Sequence, residues 1–280
     1  MKKGINAWCF PGGLSLNDKF KLAKECRFDG IEVNMARKPD EGSAPDNLRL
    51  HMGLDESGFK KIKYCADAYD MPISGVSTDL HWTYPITDND PAVREKGMEI
   101  VRKMIDAAVV FGCDAVLLVP GKVTAEVSYL TAYRRAQEAL RELKGYAEEK
   151  RIVIGVENVW NKFLLSPLEM ARFLDEIGSG YVKAYFDAGN VLQFSYPESW
   201  VEALGGRIAK VHVKDFDPEI GNINGFKPLL QGALDWGALM GSLKETGYNG
   251  YLTAELSPYP TNPTQLVRDT SAALDYILSL

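Results

Sequence analysis

The chain has 280 residues, 46% of them hydrophobic and 25% charged, which is enough apolar material for one large core. A formal net charge of -6, a pI near 5.3 and no run of Lys and Arg longer than two leave no electrostatic footprint for nucleic acid or an anionic membrane. The opening MKKGINAWCFPGG has a short apolar run broken by Asn6 and no small-residue cleavage pattern, so it reads as a first strand rather than a signal peptide, and no segment approaches transmembrane length.

Strand-like runs begin near Gly4, Gly30, Ile73, Ala115, Ile152, Val182, Ile208 and Tyr251, at intervals of 26 to 43 residues, with an amphipathic helical stretch after each. That interval holds a strand, two loops and a crossover helix. Helix starts are marked by Asp90-Pro91, Ser166-Pro167 and Asn262-Pro263, each a capping residue followed by a proline at the first helical position. Tyr133, Ala136, Leu140, Leu143 and Ala147 form an apolar stripe opposite Arg134, Arg135, Glu138 and Glu142. Eight βα units without an interrupting linker predict a single domain over residues 1–280, a closed (β/α)8 TIM barrel rather than an open doubly wound sheet. Cys9, Cys26, Cys65 and Cys113 are scattered with no C-x-x-C, as expected of reduced thiols in a cytoplasmic protein.

In such a barrel the chemistry lies where the strands end at their carboxyl side. Four consecutive strands carry polar residues there: Glu157 after Ile152–Val156, Asp187 after Val182–Phe186, His212 in Ile208–Lys214, and Glu255 after Tyr251–Ala254. In the seventh strand His212 and Lys214 share one face, and Val211 and Val213 the other. Three carboxylates and an imidazole at one rim would repel one another and raise their pKa values unless a cation sits among them. One divalent metal ion resolves the conflict, and a ligand set of one nitrogen and three carboxylates suits Mn²⁺, Co²⁺, Mg²⁺ or Zn²⁺. The competing reading pairs each acid with a neighbouring cation, for instance Glu157 with Lys183.

The segments GVENVW (155–160), YFDAGN (185–190), VHVKDF (211–216), LLQGALDW (229–236) and LTAEL (252–256) resemble, in order and spacing, the sugar phosphate isomerase/epimerase group of xylose isomerase-like barrels. That group also contains ketose 3-epimerases and zinc-dependent endonucleases of DNA repair. The resemblance implies one divalent metal held by Glu157, Asp187, His212 and Glu255, with Glu157 and Glu255 as the catalytic acid and base. It implies epimerisation of a ketose or ketose phosphate at C3 through an enediolate. Aldose-ketose isomerisation, dehydration of an inositol-type keto-polyol and sugar binding without turnover are the alternatives. Members commonly pair through barrel faces, so a homo-oligomer is expected. The endonucleases gather several histidines around three zinc ions, whereas this chain has only His51, His81 and His212. Free-ketohexose epimerases carry a histidine three residues after the aspartate and an arginine six after the histidine; here Asn190 and Pro218 stand in those places.

The expected pocket residues are Trp8, His81, Asn190, Lys214 and Lys227, with Phe10, Trp160 and Phe163 as further candidates for aromatic walls. His51 is expected to be structural. Glu32 and Asn34, on one face at the end of the second strand, are expected to form a buried hydrogen bond within the rim. Pro120-Gly121-Lys122 lacks the first glycine and the Ser or Thr of a nucleotide loop. The stretch 216–234, with Gly221, Gly225, Lys227 and Gly232, lies where barrels often bind phosphate, and its glycines would let backbone N–H groups approach an anion.

Overall fold

A computed structural model describes residues 1–40 and 48–280. Eight parallel strands close into a barrel: β1 (Lys2–Asn6), β2 (Gly30–Asn34), β3 (Ile73–Ser77), β4 (Ala115–Leu118), β5 (Val153–Glu157), β6 (Val182–Asp187), β7 (Ile208–Val213) and β8 (Tyr251–Ala254). Closure joins β1 to both β2 and β8, with Gly4 opposite Gly30 and Thr253. Each predicted strand start falls within two residues of an observed one, and the single-barrel architecture follows from that regular spacing.

The outer ring contains helices Leu16–Glu25, Glu56–Ala68, Pro91–Phe111, Tyr129–Lys150, Pro167–Ile177, Pro197–Leu204, Trp236–Glu245 and Pro263–Ser279. Ser166 caps its helix by accepting from the Glu169 N–H, and Asp90 accepts from Ala92 N–H. Asn262 departs from the expectation: it sits at φ 56° and its side chain makes no cap, leaving Pro263 to start the helix. Ala136, Leu140, Leu143 and Ala147 are buried against the barrel as the stripe requires; Tyr133 is half-buried because its hydroxyl reaches Glu176.

Two local elements interrupt the simple alternation. Ala7–Cys9 form a 3-10 turn capped by the Asn6 side chain, and Asp215–Phe216 pairs antiparallel with Phe226–Lys227 in a short ribbon. The ribbon occupies part of the glycine-rich stretch after β7 and hangs over the carboxyl end of the barrel. Its geometry depends on Gly225, where a Cβ would lie 2.6 Å from the Phe216 ring. Inside the barrel, Gly155 makes the corresponding space for Tyr185, with a Cβ position only 2.6 Å from that ring.

Candidate active site at the carboxyl rim

Alternation along the strands turns Tyr185 and Asp187 of β6, and Lys210 and His212 of β7, toward the barrel axis; all four are buried. Parallel register places Asp187 beside His212 and Glu157 beside Tyr185. Glu157, Asp187, His212 and Glu255 therefore converge, and one ligand atom from each lies within 4.8 Å of the others. Asp187 and His212 are 0% exposed, Glu157 5%, and Glu255, one residue beyond β8, opens most to solvent.

Hydrogen bonds fix how these groups point. Asp187 Oδ1 accepts from the Asn190 N–H at 2.9 Å, and Asn158 brackets the aspartate backbone with bonds of 2.8 and 2.9 Å. Asp187 Oδ2 and Glu255 Oε2 each accept from Lys214 Nζ at 2.5 Å. His212 Nε2 lies 2.9 Å from Glu32 Oε1, while Nδ1 faces Glu157 Oε1 at 3.6 Å and Glu255 Oε2 at 3.7 Å. Nδ1 is buried with no hydrogen-bond partner among the described residues.

Electrostatics follow from burial and crowding. Burial, reinforced by the nearby charge of Glu255, raises the Glu157 carboxyl to about 7. Burial likewise raises Asp187 despite the Lys214 ammonium. For Glu255 burial acts upward, but the charges of Lys214 and His212 prevail and hold it below the usual carboxylate range. Burial opposes charge on His212, yet Glu32 and Glu255 raise the imidazole well above its ordinary value. The set is thus an excess of negative charge held in a largely buried rim around an orphaned nitrogen. Three carboxylates and one nitrogen without a partner fit a divalent cation by donor chemistry.

The rim opens into a cavity of about 500 Å³ lined by Glu157, Glu255, Lys214, Asn190, Trp8 and Lys227, among others. Trp82, Trp160 and Phe226 supply further aromatic wall. Several expectations need correction. His81 does not line this cavity: it lies in the short helix Leu80–Thr83, is 1% exposed, and leaves the wall to its neighbour Trp82. Phe10 and Phe163 are core residues, Phe163 packing edge-on against Tyr129 and Phe173. Lys183 donates to Gly206 O and so is not the partner of Glu157. Among the described residues Lys214 reaches the acidic cluster instead, donating to Asp187 and Glu255. His51 is buried, its Nδ1 accepting from the Gly53 N–H. The expected rim bonding is present, with Asn34 donating to Ser77 and Asn6, but Glu32 reaches farther, to His212 and Tyr185. A carboxylate within the apolar strand GIEVN was the sequence signal, and its partner 180 residues away was not.

The profile of one family, described as Xylose isomerase-like TIM barrel, matches residues 20–277. The chain belongs to that family. Among curated relatives it is similar to L-ribulose-5-phosphate 3-epimerase UlaE of Escherichia coli (strain SMS-3-5 / SECEC), 25% identical over 90% of this chain and 86% of that one. Similar solved structures include D-psicose 3-epimerase with D-tagatose from Clostridium cellulolyticum H10, at a TM-score of 0.81 and 16% identity over 100% of this chain and 99% of the other. Another is 3-keto-D-glucoside 4-epimerase YcjR from E. coli, TM-score 0.77 and 18% identity, covering 100% of both chains. At those identities the solved structures establish the shared barrel. No helix among the described residues is long and apolar enough to cross a membrane.

Proposed function

We propose that this member of the xylose isomerase-like barrels is a divalent-metal-dependent epimerase that inverts C3 of a ketose phosphate. The observation that carries the reading is the placement of Glu157 and Glu255. They stand on β5 and just beyond β8, at the two ends of an arc whose middle strands supply Asp187 and His212, and both open into one cavity. A binding module has no need of two such acids. Inversion at a carbon needs one group to remove its proton and another to return one on the opposite face. The similarity to an enzyme named for L-ribulose 5-phosphate supports the substrate class.

Glu157, Asp187, His212 and Glu255 would hold the metal ion. When bound, the ion supplies Lewis-acid stabilisation of the negative charge that develops on the substrate oxygens. The protein does the rest. One glutamate takes the C3 proton and the other delivers a proton to the opposite face. Asn190 and Lys214 bind polar groups of the sugar, the aromatic wall of Trp8, Trp82 and Trp160 excludes water, and Lys227 at the mouth meets the phosphate.

Exchange with D₂O tests this reading. With a panel of ketose phosphates and the metal-loaded protein, deuterium should enter at C3 of the substrate and appear in the C3 epimer. Label entering at C1 or C2 would instead identify an aldose-ketose isomerase, and loss of water from the sugar a dehydratase.

A further inference from the structure

The buried face of β2 contains a carboxylate that has no access to the cavity. Glu32 is 0% exposed and is not among the cavity-lining residues. Both of its oxygens nonetheless have partners. Oε1 accepts from Asn6 Nδ2 at 2.5 Å and lies 2.9 Å from His212 Nε2, while Oε2 accepts from the Tyr185 hydroxyl. Asn6 is held in turn by Ser77 and Asn34, at 3.1 and 3.0 Å. The Tyr185 ring also packs edge-on against the imidazole, centroids 4.7 Å apart at 63°.

We infer that Glu32 is a positioning residue for His212: its carboxylate accepts the Nε2 proton and so leaves Nδ1 as the nitrogen presented to Glu157, Asp187 and Glu255. A neutral imidazole has one N–H and one lone pair, and the acceptor that takes the N–H decides which nitrogen is free. Glu32 also accepts from Asn6 and Tyr185, and these two donors hold its carboxylate against the ring. Turning the ring over would put the carbon Cε1 where Nε2 stands and break the 2.9 Å contact with Glu32. Carboxylate–histidine–metal chains work this way, and loss of the outer carboxylate typically costs 10–100-fold in metal affinity. Here the outer carboxylate comes from β2 and the ligand from β7, which are not neighbours in the barrel wall but are separated by β1 and β8, so the bond crosses the interior.

The inference rests on the metal reading of the preceding section, and the test separates the two. Zn²⁺ is added to chelator-treated protein, its affinity measured by calorimetry, and the His212 ring followed by long-range ¹H–¹⁵N correlations, with His212→Ala assigning the signal. The wild-type protein should bind Zn²⁺ through Nδ1 and retain a slowly exchanging Nε2 proton. Glu32→Gln, which keeps size and shape, should weaken Zn²⁺ binding by about 10–100-fold and shift the Nε2 proton resonance. Tyr185→Phe, which removes only a donor to Glu32, should change affinity much less. Coordination through Nε2 in the wild type, or Glu32→Gln affinity within twofold of wild type, overturns the inference alone. Absence of Zn²⁺ binding, or binding unchanged by His212→Ala, overturns the metal reading and this inference with it.

Discussion

Lys214 and Asp187 are in direct contact, Nζ 2.5 Å from Oδ2, and the same ammonium lies 2.5 Å from Glu255 Oε2. The lysine thus brings a positive charge to two of the carboxylates that would hold a divalent ion. Gly189 makes this approach possible, since a Cβ there would lie 2.4 Å from Lys214 Cγ. The ammonium offsets part of the rim's negative charge, and a bound ion would compete with it for the carboxylates of Asp187 and Glu255.

Lys214→Met should therefore destabilise the metal-free protein by on the order of 3 kcal/mol, the usual cost of stripping one partner from a buried ion pair. Added Mn²⁺ should close most of the gap between variant and wild type. Urea unfolding with and without Mn²⁺ measures both quantities, and an identical deficit in the two conditions would show that the lysine and the ion do not share the site.

Glu157→Gln and Glu255→Gln should each lower epimerisation by on the order of 10²–10⁴-fold. One of the two variants should still exchange the C3 proton of a single epimer in D₂O, because one base suffices to remove and return a proton on its own face. The epimer that exchanges in each variant assigns the faces. Full turnover in either variant would remove that glutamate from the chemistry.

Lys227 projects from the ribbon over the barrel mouth and lines the cavity. Its replacement by Ala should raise KM for a ketose phosphate about tenfold, the worth of one charge-assisted hydrogen bond, while changing that for the free ketose little. By linkage, a ketose phosphate should also raise the wild-type Tm more than the free ketose does. Equal Tm shifts would return the substrate class to free sugars.

His81 gives a pH dependence unrelated to catalysis. Burial lowers its pKa from 6.5 to about 4, so the folded protein keeps the ring neutral where the unfolded chain protonates it. This cost is absent above pH 6.5, grows as the pH falls, and levels off below pH 4. At pH 5 it amounts to about 2 kcal/mol. His81→Phe should flatten the fall in urea midpoint between pH 7 and 5; a variant as acid-sensitive as wild type would mean that the ring is protonated in the fold.

The sequence by itself determined the barrel and the convergence of Glu157, Asp187, His212 and Glu255. Both follow from local rules: eight strand starts at crossover spacing imply closure, and period-two alternation with a polar residue at each strand's carboxyl end puts those residues on one rim. It also marked Glu32 as buried, since a carboxylate inside GIEVN has no other place to go. Tertiary structure decided the partners. Which cation reaches the acids, Lys214 or Lys183, depends on side-chain reach across the barrel wall and on the gap left by Gly189. Whether His81 or Trp82 faces the cavity depends on the phase of one four-residue helix turn, which no periodic pattern of that length can fix. The Glu32–His212 bond joins residues 180 positions apart through the barrel interior, so it exists only once the strands have closed around it.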